Sequence, residues 1–327
     1  MSAHTFSAEP KPYALVAIPS EAPRRMGPAT HERFVGLTGH LLLEFTVVSE
    51  YLFVGSGDYG VDPSARGDRP DVWYTFSRRD GRVCVPGTSL KGAVRGLLEA
   101  ISNSCVSQYR RGREEVGPSH RPCQDQQRLC PACRLFGRTG LRGRVAFGDG
   151  LPLGQPHLQI VKIAELWEPK RFTNARRFYE VKAFQPPADR RPQRNFRFIE
   201  AAPKGTQFQT TLFFENVTEP EMGLIFHALG WQPSPSGYRE AFPPKMGGAK
   251  PRCLGAVRFT PRRLRLWGGG WQTILHPVER QGSELGAFIG ACLIACQSSG
   301  DLFHRSSWRS LVAAMQPQSA LCPREIY

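Results

Sequence analysis

The stretch PGTSLKGAVRGLLEAISNSC (Pro86–Cys105) decides how this chain folds. Leu90, Val94, Leu97, Leu98 and Ile101 recur at helical spacing, which lays one apolar stripe along a helix. Pro86 and Gly87 precede it, and Thr88 or Ser89 is the expected cap. Its flanks have strand character. HLLLEFTVVSEYLFV (His40–Val54) alternates apolar and polar residues, and DVWYTFSRRDGRVCV (Asp71–Val85) predicts a hairpin turning at Arg79, Asp80 and Gly81. Between them, GSGDYGVDPSARGDRP (Gly55–Pro70) reads as a long loop rich in glycine and aspartate.

The alternation of element types continues downstream. GRVAFGDG (Gly143–Gly150) and HLQIVKIAEL (His157–Leu166) are strand candidates. NFRFIEAAPKGTQFQTTLFFENV (Asn195–Val217) reads as two strands about a Pro-Lys-Gly turn. TEPEMGLIFHALGW (Thr218–Trp231) opens with Thr218 and carries Glu221 three residues on, a capping box. FPPKMGGAKPRCLGAVRF (Phe242–Phe259) is a glycine-rich loop running into a strand. The expected fold class is therefore α+β: an antiparallel sheet with helices on one face, in a βαββαβ ferredoxin-like order with large insertions. Three regions follow: an extended arm over 1–37, expected to dock on a neighbouring subunit, a core over 38–283, and C-terminal helices over 284–327. The longest apolar run, Leu285–Cys296, is too short to span a bilayer and reads as a buried helix. The N-terminal residues lack the pattern of a secretion signal, so a reducing cytoplasm is the expected location and no membrane partner is expected.

Charge points to a partner. The chain of 327 residues carries a formal net charge of +15, which argues for a polyanion and says nothing of fold. Cys105–Arg144 holds nine arginines against three acids, and Lys170–Arg197 nine basic residues against two acids. Such clustering suits a binding track. Trp167, Phe172, Phe178, Tyr179 and Phe184 interleave with Arg171, Arg176 and Arg177, a mixture suited to backbone contact plus base stacking. Ser89, Lys91 and Arg95 stand by a helix N-terminus, where free N–H groups bind phosphate. Gly247 and Gly248, beside Lys245 and Lys250, permit close backbone approach.

The nine cysteines include a CxxC pair, Cys130 and Cys133, with Cys123 seven residues upstream. A structural zinc needs four such ligands, and either Cys105 or His120 completes the set. The insertion over about 105–136 is poor in apolar residues, so zinc would supply the folding free energy its own core lacks. A redox CxxC is the rival reading, but no thioredoxin-like context follows. Cys84, Cys253, Cys292, Cys296 and Cys322 read as small core residues.

Taken together, PGTSLKGAVR (Pro86–Arg95), CRLFG (Cys133–Gly137) and GGAKPRCLGAV (Gly247–Val257) resemble the hallmarks of the RAMP superfamily, the RNA-binding subunits of CRISPR–Cas effector complexes. CPACRLFG, the preceding NSC and the PYALV arm resemble the zinc-bearing backbone subunits of type III complexes. The resemblance covers roughly residues 12–267 and implies a modified RRM-like core, over 38–283, with a β-hairpin thumb over about 167–197. It implies that copies stack along a guide RNA (crRNA) beside other effector subunits, with Arg134 among the RNA contacts. It also implies cleavage of complementary target RNA at six-nucleotide intervals, supported by an Asp about fifteen residues before the Pro of the motif. Here that residue is Asp71, acting with Mg²⁺. The Val72–Trp73 pair after it departs from the family's catalytic pattern, which leaves a purely structural guide-binding subunit as an alternative. A CRISPR RNA-processing endoribonuclease is a third reading, and would need a histidine base. His227, beside Leu224, Ile225 and Phe226, reads instead as a core residue. A zinc-ribbon DNA-binding protein is a fourth, disfavoured because the insertion sits inside a larger sheet.

Overall fold

The computed structural model describes residues 12–29, 31–107, 116–166, 174–267 and 276–323. Its central sheet is built on Leu37–Val47, which lies between Gln207–Val217 and Val257–Trp267 and is antiparallel to both. Val145–Phe147 pairs outside Gln207–Val217, and Val278–Arg280 outside Val257–Trp267. Helix α1 (Gly87–Ile101) follows the first of these strands; a short helix α2 (Pro131–Phe136) lies in the cysteine insertion. Helix α3 (Glu219–Ala228) follows the third strand. Taken in chain order, the four main strands stand 4-1-3-2 across the sheet, the βαββαβ order expected.

Strand alternation sorts the side chains. Leu41, Leu43 and Phe45 are fully buried toward the helices, while His40, Leu42 and Glu44 between them point to the other face and stay part-exposed. The five apolar positions of α1 named from the sequence are all buried, and α3 carries the complete capping box, Thr218 with Glu221. The C-terminal helices α4 (Gly282–Ser298) and α5 (Arg305–Met315) join the same core through Leu285, Ile289, Leu293 and Leu311.

Five expectations change. Helix α1 has no side-chain cap from Thr88 or Ser89; Pro86 precedes it, and the Gly87 N–H donates to Asp149 Oδ1 at 2.9 Å. A carboxylate from the second core strand's far end thus fills the slot a local hydroxyl was expected to fill. The segment read as a long loop contains a strand, Gly55–Val61, paired with Val72–Phe76. Its polarity hid it, and Gly60 serves packing: a Cβ there would lie 2.2 Å from the Trp73 ring.

The described part of 167–197 forms no hairpin of its own. Ala175–Tyr179 pairs with Tyr13–Ala17 of the arm, and Val181–Ala183 runs parallel to Pro317–Leu321. The hairpin is made by the flanks, Gln159–Ala164 against Phe196–Pro203, and the described residues between them, 165–166 and 174–195, leave it as an excursion. Fourth, the arm docks on its own chain: Met26 bridges Leu129, and Arg25 donates to the Ser119 carbonyl at 2.7 Å. Finally, Cys253 and Cys322 are joined in a disulfide, because the C-terminal strand brings Cys322 alongside the glycine-rich loop. Cys84, Cys292 and Cys296 are buried and free, as expected.

Candidate metal centre and nucleic-acid interface

Four chain segments converge below α1. Cys105 follows that helix, Cys123 sits in the insertion, Cys130 precedes α2 and Cys133 lies in its first turn. Pro131 starts α2 without a wasted donor, and the turn it sets makes the CxxC knuckle. All four sulfurs lie within 4.8 Å of one another and all four residues are buried. Cys105 Sγ is 3.6 Å from Cys133 Sγ and 3.5 Å from Cys130 Sγ. A tetrahedron with Zn–S bonds of about 2.3 Å has edges of about 3.8 Å, so the spacing suits zinc. The Cys130 N–H donates to Cys123 Sγ at 3.3 Å, as expected of a sulfur carrying negative charge. The four cysteines can therefore hold a structural zinc ion. His120 stands apart: Nε2 meets Asn103 Oδ1 at 2.7 Å and Nδ1 meets Ser119 Oγ at 3.1 Å, which engages both ring nitrogens. Cys105 completes the set.

Two cations read as RNA contacts, Arg95 and Arg176, are turned inward to this centre, and a third, Arg134, to the arm and α3. Arg95 donates to Glu99 Oε1 at 2.8 Å, to the Gly137 carbonyl at 2.9 Å and to Cys133 Sγ at 3.5 Å. Burial lowers its affinity for a proton, and Glu99 with the neighbouring thiols raises it by more. Arg176 reaches Glu99 Oε2 at 3.4 Å and the Ser104 carbonyl at 2.6 Å. Arg134 bonds the Gly27 carbonyl and lies 3.4 Å from Glu221. A zinc tetrathiolate carries a charge of −2, so guanidiniums beside it supply what its burial requires.

The remaining sites are placed as follows. Ser89 is half-buried, and its N–H is taken by the Pro86 carbonyl. Lys91 is half-exposed one turn before Arg95; burial and then the Arg95 charge hold its ammonium below the ordinary lysine range. Arg177 lies over the Tyr13 ring at 5.1 Å. Gly247 packs on Phe53: φ is 75° and a Cβ would sit 2.1 Å from the Phe53 carbonyl, so here glycine serves close packing of backbone on backbone. Gly248 donates to that same carbonyl at 2.8 Å. Lys250 is half-buried, its ammonium shifted down by burial, beside Lys245, whose Nζ donates to the Glu180 carbonyl at 2.8 Å and is pushed down to about 7, first by burial. Arg171, Trp167 and Phe172 lie outside the described residues.

Solvent-facing cations that no single-residue reading named stand on the excursion: Arg190, Arg191 and Arg194 are exposed. The loop bearing them wraps one buried ammonium. Lys162 Nζ donates to the carbonyls of Asp189 and Arg191 at 2.8 and 2.5 Å and to Gln193 Oε1 at 2.9 Å. The charge cluster in 170–197 was the available signal; which of its cations face water was not.

Asp71 is exposed immediately before Val72–Phe76, where its carbonyl accepts from the Asp62 N–H at 2.8 Å and closes the loop between the two strands. Among the described residues the four cysteines are the one group of three or more potential ligands, so no such group gathers at Asp71. Also among them, no helix is long and apolar enough to cross a membrane.

A family model described as RAMPs, the RAMP superfamily, matches residues 44–231, more than half of the chain. The chain belongs to the RAMP superfamily, a family of CRISPR-associated RNA-binding proteins. No curated protein matches it.

Proposed function

We propose that this protein is a guide-RNA-binding backbone subunit of a type III CRISPR–Cas effector complex, of the zinc-bearing variety. The observation that carries this reading is the combination, in one RAMP chain, of a four-cysteine centre under α1 and an arginine-rich excursion projected by a two-stranded stem. Copies would stack along the crRNA in the cytoplasm, flanked by other effector subunits. Lys91, Lys250, Arg177 and the excursion's Arg190, Arg191 and Arg194 would meet the RNA backbone, while base pairing with the guide selects the target.

Cleavage of the target would run through Asp71. Asp71 would hold Mg²⁺ together with RNA phosphates and water, and the ion would supply neutralisation of the charge that develops on the phosphate. The 2′-hydroxyl would attack the adjacent phosphate, leaving a 2′,3′-cyclic phosphate and a 5′-hydroxyl. The solitary, exposed setting of Asp71 favours the second reading, a guide-binding subunit without chemistry of its own. Against the processing-enzyme reading stands the setting of His227, fully buried against Phe303 and Trp308 and so out of reach of RNA as a base. The deciding experiment supplies Mg²⁺ and complementary RNA to the assembled complex, native and Asp71→Ala. Cuts at six-nucleotide intervals by the native complex, with binding but no cutting by the variant, establish Asp71. Binding without cutting by both leaves the structural reading, and an uncut target that neither complex binds removes both.

A further inference from the structure

The face of the central sheet turned away from the helices carries a row of rings. Across the strands, Ala146, Phe213, His40, Arg265 and Glu279 stand in register, with Trp267 diagonal to His40. The Phe213 ring lies 6.1 Å from His40, and His40 lies 5.2 Å from Trp267, both edge-on. Phe213 is 47% exposed although it sits mid-strand between buried Leu212 and Phe214. A large aromatic left in water on a central strand is a cost that packing of the core does not require.

The charges around the row are not balanced. Glu279 is taken by Arg265 at 2.5 Å, Glu44 by Arg262 at 2.5 Å and Glu215 by His31 at 3.0 Å. Arg263, one register step from Arg265, makes no ion pair among the described residues. Burial, then Arg265 and Arg263, hold the His40 imidazole below its ordinary range, with Glu279 opposing. Flat rings with a spare guanidinium beside them match the faces of unpaired bases and the phosphates between them. An apolar protein partner would leave Arg263 desolvated without a counter-charge.

We infer that this open sheet face, through Phe213, His40, Trp267 and Arg263, is a second RNA-binding surface that stacks unpaired bases of single-stranded RNA. It shares no residue with the zinc centre or the excursion, and it deepens, and rests on, the reading of the chain as an RNA-binding subunit.

The test uses the full chain and two labelled probes, a short uridine-rich RNA and a fully paired RNA duplex, followed by fluorescence anisotropy at several salt concentrations. Phe213→Ala should weaken single-strand binding about tenfold, as loss of one stacking partner does, and leave duplex binding unchanged. Phe213→Tyr should restore it. Arg263→Glu should weaken binding and flatten its salt dependence. Phe213 is exposed, so its two variants carry the test should Arg263→Glu lower the melting temperature. Single-strand binding unchanged in Phe213→Ala, but lost in an Arg190→Glu/Arg194→Glu chain, overturns the surface and leaves the RNA-binding reading intact. A native chain that binds neither probe overturns both. A change of oligomeric state in Phe213→Ala with no change in RNA affinity assigns the face to protein and overturns the inference.

Discussion

Replacing Arg95 with methionine distinguishes a metal-supporting role from an RNA-binding one. Methionine keeps much of the stem and removes the charge. Arg95 stands 3.5 Å from Cys133 Sγ, and a unit charge pair at that distance in an effective dielectric of 20 is worth about 5 kcal/mol. Zinc draws off part of the thiolate charge, and Arg176 continues to compensate, so the loss is smaller. Removal of a group that supports metal ligands lowers metal affinity by about 10- to 100-fold, equivalent to roughly 1.4–2.7 kcal/mol. The assay is competition for zinc between the full-length protein and a chromophoric chelator, with zinc stoichiometry from mass spectrometry. The expected result is a shift of that size in Arg95→Met, partly restored in Arg95→Lys. Zinc affinity within twofold of native, together with weakened guide RNA binding, would refute the reasoning and return Arg95 to the RNA surface.

Other outcomes are specific to single residues. Arg144 and Glu221 form a bidentate pair, 2.6 and 3.0 Å, with side chains only 2% and 3% exposed. Arg144→Met should cost about 3–5 kcal/mol by stranding a buried carboxylate, read as a lower denaturation midpoint. Burial alone would raise the Glu221 carboxyl, but Arg144 and the Thr218 N–H hold it below the ordinary range. That pair's contribution is therefore present above the ordinary glutamate pKa and is lost as pH falls through the depressed one. His227 is pushed down to about 4, chiefly by burial. Its folded form stays neutral while the unfolded chain takes up a proton below about 6.5, so stability should fall by about 3 kcal/mol between pH 6.5 and 4. His227→Gln should flatten that slope in denaturant titrations at pH 7 and pH 5. Lys162→Met should release the loop that wraps its ammonium. Faster proteolysis at 189–194 and weaker RNA binding, with the core's melting temperature little changed, are the expected readouts, and an unaltered cleavage pattern would argue against the pin.

The α1 stripe, the Thr218–Glu221 box and the strand alternations were legible in the chain because each depends on neighbours a few residues away. The order of the core strands followed from that alternation once helices and strands were placed. The CxxC pair and Cys123 named three ligands by spacing, but the fourth was undecidable: Cys105 and His120 are both within reach along the chain, and only the packing of Asn103 and Ser119 against the imidazole excludes the latter. A charge count likewise showed where cations cluster and could not show which way they point. Arg95, Arg134 and Arg176 turn to carbonyls, a thiol and carboxylates, most of them from distant segments, while Arg190 and Arg194 turn outward on the loop that Lys162 holds from beneath. Local spacing was enough for the fold class and the metal-ligand types, while the family rests on the resemblance of whole motifs and on the match over residues 44–231. The fourth ligand, the docking of the arm on its own chain, the Cys253–Cys322 link and the division of the arginines between interior and surface emerge from three-dimensional packing alone. Those depend on contacts between residues tens to hundreds of positions apart, where burial rather than spacing sets the free energy.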